Sequence, residues 1–259
     1  MSDVDQIRAA GWTQGSVLVG DMGSVTAGLE DGARYLVISH PCDVVSVSLE
    51  RDPTVELLRI EERDAPDGNL TYGKNPRRLH LQTDNGVIAV DFVGRQTIDR
   101  SLLAGVAPQS NLSEDDRRLL AAWLSARYGR PAFADEFNRR LSPAMRGIDR
   151  ILKTAGTHMS AIYVATALAE FAADTNYQVR VAATMRSDDF ADAKLFATVS
   201  ESVDKIGELI APLDGIDLVS IQLFSEEDVS IDALRSYARW DYDALSFRDG
   251  DEAVHPARV

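Results

Sequence analysis

The chain has 259 residues, of which 45% are hydrophobic and 26% are charged, and its net charge is −14. This composition predicts a folded globular protein and excludes the low hydrophobicity that is typical of disordered chains. No apolar run reaches the roughly 18 to 20 residues of a membrane helix, and residues 1–5 lack the basic start of a signal peptide, so we expect a cytoplasmic protein without membrane contact. The single cysteine, Cys42, excludes an internal disulfide.

Basic and acidic side chains are distributed unevenly along the chain. Residues 71–150 hold 13 basic and 9 acidic side chains, and 12 of those bases are arginines, whereas residues 151–259 hold 9 basic and 19 acidic ones. Because arginine binds phosphate through paired N–H donors, we expect a phosphate-bearing ligand at the first range and a protein partner at the acidic C-terminal part. The alternative is that these arginines lie on solvated helix faces.

The N-terminal part is predicted to be rich in β-strands. Apolar or alternating runs indicate short strands at residues 15–19, 34–39, 45–50, 55–60, 79–82 and 87–92. The continuous apolar run at residues 36–38 is typical of a strand that is buried on both faces. The pair Asn85-Gly86 favours a tight hairpin, because both residues tolerate positive φ angles. Together these signals predict a small β-barrel or sandwich over residues 12–95.

Helical patterns follow. Ser113 is predicted to cap a helix that ends at Gly129, and a second helix over residues 133–141 is predicted to end at Pro143. Strands over residues 160–171, 177–185 and 218–224, with a helix after Ser187, indicate an α/β region with a mixed or antiparallel sheet. Residues 231–240 fit either a helix or a strand, and the tail from residue 249 is expected to be loose.

We therefore predict an α+β protein with three parts. These parts are a β-rich barrel-like domain over residues 1–100, a helical connector over residues 101–148, and an α/β domain over residues 149–259. Asp188 and Asp189 are expected to be favourable charges at a helix start rather than metal ligands, and His158 is assigned no role.

The strongest candidate site is the segment Ser39–Asp43, which follows the buried strand. Loops at the ends of strands often hold reactive groups, and a nearby imidazole gives a thiol the thiolate character that it needs to react. If Pro41 leaves the backbone extended, His40 and Cys42 lie on the same side and Asp43 is able to orient His40. His40, Cys42 and Asp43 are therefore the candidate catalytic residues, without a metal or another cofactor.

Other interpretations of the same segment stay open. Cys42 is a buried core residue in one of them, with Asp43 making only a local turn to the backbone. In another, His40, Cys42 and Asp43 bind zinc together with His80 from a different strand.

Arg77, Arg78 and Arg95 are the candidate ligand-binding residues. Residues 73–78 form a predicted turn that ends in the paired arginines, and guanidinium groups there are suited to a phosphate or a carboxylate. Arg100 is expected to extend this basic face. The alternative is a solvated turn without a function.

The strand sequence Gly15-Ser16-Val17-Leu18-Val19, followed by a loop and Tyr35-Leu36-Val37-Ile38-Ser39, resembles the opening strands of the PemK and MazF barrels. That family consists of endoribonuclease toxins, so the resemblance implies a small barrel that acts on RNA.

Three functional hypotheses follow. The first is a bacterial effector or regulatory protein whose N-terminal domain binds a phosphate-bearing ligand or RNA, with His40 as a base. The second is a cysteine-dependent hydrolase or transferase that uses Cys42 as its nucleophile. The third is a non-catalytic interaction module of a multi-protein system of the toxin or phage-defence type.

Overall fold

The structure, a computed structural model, describes residues 1–20, 28–83, 85–129, 132–167, 169 and 174–241. The chain is a mixed α+β protein with a curled antiparallel half-barrel sheet and a second, mixed sheet. Its contacts divide it into two units: unit 1 comprises residues 1–66 and 77–128, and unit 2 comprises residues 67–76 and 129–259. The predicted domain limits at residues 100 and 148 stay a prediction. Within the described ranges, no helix is long and apolar enough to cross a membrane.

The sheet of unit 1 is built from antiparallel pairs in the order β4-β5-β3-β2-β1-β7, with β6 pairing β3. The described strands are β1 (Ser16–Val19), β2 (Arg34–Val37), β3 (Thr54–Arg63), β4 (Arg78–Thr83), β5 (Gly86–Asp91), β6 (Gln96–Asp99) and β7 (Ser110–Asn111). β3 pairs with β6 through its first residues and with β5 through its last ones, so the sheet curls around this long strand. The predicted hairpin is confirmed, because Thr83 of β4 pairs with Gly86 of β5, whose φ is +113°.

Both faces of this sheet are covered, as the apolar run at residues 36–38 predicts. Leu36 packs in a cluster with Trp123 of helix α3 (Glu114–Gly129), and Val37 packs in a second cluster with Ile7 of helix α1 (Asp3–Ala9). Leu36 and Val37 are both fully buried, because successive residues of a strand point to opposite faces.

Unit 2 contains a sheet in the order β10-β9-β8-β11 with helices packed against it. Its described elements are α4 (Asp135–Ala155), β8 (Ala161–Ala165), β9 (Tyr177–Met185), α5 (Ser187–Ala191), α6 (Ala193–Ile210), β10 (Ile216–Ser225), α7 (Ile231–Leu234) and β11 (Ala238–Arg239). β9 and β10 are parallel and are joined through α6, whereas β8 and β9 are antiparallel, so the predicted mixed sheet is confirmed. Parts of two predictions lie outside the described residues: positions 168 and 170–173, at the end of the predicted strand 160–171 and in the turn after it, and the tail from residue 249.

Two predicted element boundaries are wrong. Residues 45–50 form no strand; they follow the short helix α2 (Pro41–Val44) as turns and a bend. Pro143 does not end a helix, because it lies inside the 21-residue α4. Pro143 has no N–H, so it donates no hydrogen bond to the carbonyl of Arg139, four residues earlier. The hydroxyl of Ser142 donates to this carbonyl instead, at 2.8 Å.

Residues 73–76 of the predicted turn 73–78 belong to unit 2 and are buried rather than solvated, whereas Arg77 and Arg78 are exposed. Lys74 is 1% exposed, and its ammonium donates to the carbonyls of Gly156 and Met159 at 2.8 and 2.7 Å and to the hydroxyl of Thr71 at 3.1 Å. Burial holds the pKa of Lys74 well below its usual value. Lys74 is therefore a structural residue and is not available to a phosphate.

Candidate functional site

The candidate loop begins where β2 ends, and His40 is the N-cap of helix α2. The Nδ1 atom of His40 accepts a hydrogen bond from the backbone N–H of Cys42 at 3.2 Å. Pro41 occupies the first helical turn, where its fixed φ suits a helix. The extended backbone at Pro41, on which the meeting of His40 and Cys42 depended, is not present, because the chain turns into a helix at this residue.

The cap fixes what His40 is able to do. Since Nδ1 accepts a hydrogen bond, the neutral ring carries its proton on Nε2 and offers a donor there. Cys42 is exposed, so the interpretation of Cys42 as a buried core residue is wrong. Among the contacts of the described residues, His40 bonds to the backbone of Cys42 and not to its thiol. His40, Cys42 and Asp43 thus lie together at the start of one short helix, and their catalytic role stays a prediction.

Arg100 holds this loop in place through hydrogen bonds to its backbone. It is fully buried, and its guanidinium donates to the carbonyls of Asp43 and Ser46, both at 2.9 Å, and of Ser48 at 2.7 Å. Burial lowers the pKa of Arg100 from its usual value. The prediction that Arg100 extends a basic face is wrong, since its donors face the backbone of the loop.

The start of the loop is also held in place. The Ser39 hydroxyl accepts a hydrogen bond from the backbone N–H of Glu56 at 2.8 Å, and the N–H of Ile38 donates to the carbonyl of Glu56 at 2.9 Å. These contacts continue the pairing of β2 with β3 into the loop. The loop is therefore fixed at Ser39 and again at residues 43–48.

A polar cavity of about 490 Å³ opens beside this loop in unit 1. The residues that line it come from the loop, from the turn before β3, and from β3 and β6; they are Ile38, Ser39, His40, Asp43, Arg51, Asp52, Pro53, Thr54, Glu56 and Thr97. Cavities of roughly 300 to 1,000 Å³ are typical of sites for small molecules. His40 and Asp43, two of the three predicted catalytic residues, thus line this cavity.

Arg95 connects the cavity to an aromatic ring. Its guanidinium pairs with the carboxylate of Glu56 at 3.2 Å and also lies 5.2 Å from the centre of the Phe92 ring. The guanidinium of Arg127, from α3, lies 3.8 Å from the centre of the same ring. Trp123 supports Phe92 edge-on, with 6.1 Å between the ring centres. We call Phe92, Arg95 and Arg127 the arginine–phenylalanine surface.

The paired arginines at the start of β4 are both exposed. The backbone N–H of Phe92 donates to the carbonyl of Arg77 at 2.8 Å, so the backbones of these two residues adjoin. Arg78 is exposed and pairs with Asp91 at 2.8 Å, and strand alternation places it on the face opposite to Leu79, which is in the core with Trp123. The ligand-binding role of Arg77, Arg78 and Arg95 therefore stays a prediction.

No protein-family model matches the sequence, and a search of curated proteins finds no match either. The resemblance to the PemK and MazF barrels therefore stays a prediction.

Two residues of the site escaped the sequence reasoning. Arg127 carries a weak signal, because it lies four positions after Trp123 and thus on the same side of a helix. Phe92 belongs to the site because it contacts Trp123 and Arg127 of α3. No local sequence pattern predicts this contact between residues that are distant along the chain.

The zinc hypothesis gains no support. Over the described part of the chain, no three His, Cys, Asp or Glu side chains are placed to hold a metal ion. In unit 2, Asp192 caps α6, and Asp189 pairs with His158 at 3.3 Å, which is a partner that the sequence reasoning did not foresee.

Proposed function

We propose that unit 1 binds a phosphate-bearing ligand, single-stranded RNA above all, at the arginine–phenylalanine surface and the adjoining cavity. The observation that carries this proposal is the meeting of two guanidinium groups, those of Arg127 and Arg95, on one phenylalanine ring. Arg95 also touches Glu56, which lines the cavity, so the surface and the cavity adjoin.

The chemistry of this surface suits a single strand. A guanidinium that lies on an aromatic ring is held by the cation–π attraction. The planar guanidinium group is suited to two parallel hydrogen bonds to a phosphate. The guanidinium plane is also a stacking partner for unpaired bases, and this is how many proteins recognise single-stranded RNA.

The cap of His40 favours binding over cleavage. A general base for RNA cleavage needs a free nitrogen lone pair, and the Nδ1 lone pair of His40 is engaged by the Cys42 amide. The cysteine-dependent hypothesis needs a contact between imidazole and thiol, for which the exposed thiol of Cys42 gives no support. We therefore favour a non-catalytic binding role, in which the Nε2–H of His40 is a donor to the ligand.

Charge limits where RNA binds. The whole chain carries −14, and residues 151–259 contribute 19 acidic against 9 basic side chains. These charges repel a polyanion, so RNA is expected to bind a short site in unit 1 with a marked dependence on salt.

Fluorescence anisotropy with a short labelled single-stranded RNA tests the proposal on the intact protein. We expect saturable binding whose logarithmic affinity falls linearly with the logarithm of salt concentration, with a slope of about −0.7 for each phosphate contact. The absence of saturable binding at low salt would refute the proposed function.

A further inference from the structure

The cavity beside the loop has a lining that is unlike the arginine–phenylalanine surface. Its described lining includes the carboxylates of Asp43, Asp52 and Glu56, against the single guanidinium of Arg51 and the imidazole of His40. A carboxylate accepts hydrogen bonds and donates none, so this lining is complementary to hydroxyl and amino groups.

A phosphate is poorly matched to this cavity. The exposed Asp43 and the partly exposed Asp52 both repel an anion, and the pairing of Glu56 with Arg95 directs that guanidinium charge to the boundary with Phe92. The buried Arg100 donates to backbone carbonyls of the loop and is not among the described residues that line the cavity.

From this division of charge we propose that the cavity holds the neutral, donor-rich part of the ligand while its phosphates stay on the arginine–phenylalanine surface. The groups in the cavity are sugar hydroxyls or nucleobase amino groups of one nucleoside, which share the same hydrogen-bond chemistry. The proposal rests on the proposed function, because it assumes a nucleotide ligand at unit 1.

Three observations support the assignment. The volume of about 490 Å³ lies within the range of small-molecule sites. His40 presents an Nε2–H donor that suits a carbonyl or hydroxyl oxygen of the ligand. The loop is fixed by Ser39 and by Arg100, so the lining is organised before the ligand binds and loses little freedom on binding.

The substitution Asp43→Asn distinguishes a cavity that holds donor groups from one that holds a phosphate, because the two predict opposite changes in RNA affinity. If the cavity holds donor groups, the variant replaces one acceptor oxygen with an N–H₂ group, and we expect RNA affinity to fall roughly fivefold. The slope of affinity against salt stays unchanged, because no phosphate contact is lost. If a phosphate occupies the cavity, removal of a carboxylate tightens binding instead.

Anisotropy titrations with single-stranded RNA measure both quantities, with circular dichroism to verify folding. Asp64→Asn is the matched control, because Asp64 is an exposed carboxylate of unit 1 outside the cavity and its replacement changes the net charge equally. Asp52→Asn is the second variant, which keeps the test valid if Asp43→Asn does not fold. A deoxyribose strand of the same sequence identifies the donors: loss of the Asp43 effect assigns sugar hydroxyls, and its persistence assigns nucleobase amino groups.

The outcomes for the two proposals are distinct. Weaker binding by Asp43→Asn at an unchanged salt slope, with Asp64→Asn similar to the wild type, supports the inference. Tighter binding by Asp43→Asn, or equal affinities for both variants, overturns it while the proposed function stands. A wild-type protein that binds no RNA overturns the proposed function itself.

Discussion

The guanidinium of Arg127, near the end of helix α3, lies 3.8 Å from the centre of the Phe92 ring, which follows strand β5. Arg95 lies over the same ring at 5.2 Å, so one aromatic side chain orients two cations. An isolated arginine loses much side-chain entropy when it binds a phosphate. If this surface binds phosphate, as proposed, Phe92 reduces this loss because it holds both guanidinium groups in place before the ligand binds.

Replacement of Phe92 tests this orienting role. Phe92→Leu keeps the residue apolar and retains both arginines, so the net charge is unchanged. We expect RNA affinity to fall by roughly threefold to tenfold, because each cation–π contact contributes about 0.5 to 1 kcal/mol at exposed sites. Anisotropy measures this change, with Val93→Leu as the control, since Val93 is adjacent and 80% exposed. Equal affinities for wild type and Phe92→Leu would show that the ring does not orient the cations.

Arg100 is predicted to determine the stability of the candidate loop. Arg100→Met removes donors from the carbonyls of Asp43, Ser46 and Ser48. We expect the free energy of unfolding of unit 1 to fall by about 3 kcal/mol, because several partly buried carbonyls lose a charged donor at once. Arg100→Lys restores the charge but not the fork of donors and is expected to recover only part of this loss.

Urea unfolding and hydrogen exchange measure these effects. Amides of residues 43–48 should lose more protection than those of the β4–β5 hairpin in the same unit. Unchanged exchange in the loop would contradict the assigned role of Arg100.

The thiol of Cys42 is predicted to react independently of His40. Because Cys42 is exposed, iodoacetamide should alkylate it in the folded protein. His40→Asn removes the imidazole and keeps a residue that caps helices well. We expect alkylation rates within about twofold of the wild type, since the thiol reacts without the imidazole. A large decrease in the rate for His40→Asn would instead revive the cysteine-dependent hypothesis.

Much of the fold was predictable from local patterns, and the site was predictable only in part. The run at residues 36–38 and the Asn85-Gly86 turn are encoded within a few residues, and the structure confirms both. The alternation at residues 45–50 is typical of a strand, but the buried Arg100, more than 50 positions later, binds carbonyls of residues 43–48 and holds this stretch as a loop. Such long-range partners leave no local signal.

A glycine in unit 2 provides a test of close packing. Gly215 has a φ of +74°, and a Cβ there would lie 2.4 Å from the Nη1 atom of Arg140, which donates to the Gly215 carbonyl at 2.9 Å. Gly32→Ala is the matched control, because Gly32 has a φ of +70° and no atom within 4 Å of an added Cβ. The positive φ alone costs about 1 to 2 kcal/mol.

Gly215→Ala is therefore expected to lower the free energy of unfolding more than Gly32→Ala does, since it also displaces Arg140. Urea unfolding of both variants measures the difference. If both variants lose the same free energy of unfolding, the displacement of Arg140 does not destabilise the fold.

Acid should weaken unit 2 through Glu136. Hydrogen bonds from the side chains of Arg139 and Arg140 lower the pKa of Glu136 from 4.5 to about 2. A carboxyl whose pKa is lower in the folded state stabilises the fold above its unfolded pKa, and this contribution is lost as the pH falls from 4.5 through about 2. Glu136→Gln should reduce stability near neutral pH and should show a smaller loss across this acidic window. An equal loss of stability on acidification in the wild type and in Glu136→Gln would contradict the stabilising role of Glu136.

The most direct test of the central claim is RNA binding by Arg127→Gln, compared with Arg118→Gln. Both arginines lie on α3 and both substitutions remove one positive charge, but Arg118 pairs with Glu114 at an exposed position of the helix, whereas Arg127 lies on Phe92. If the arginine–phenylalanine surface binds phosphates, Arg127→Gln weakens RNA binding about tenfold and reduces the salt slope by about 0.7, and Arg118→Gln changes neither. Equal effects of the two substitutions would contradict a specific site and would assign any RNA binding to net charge alone.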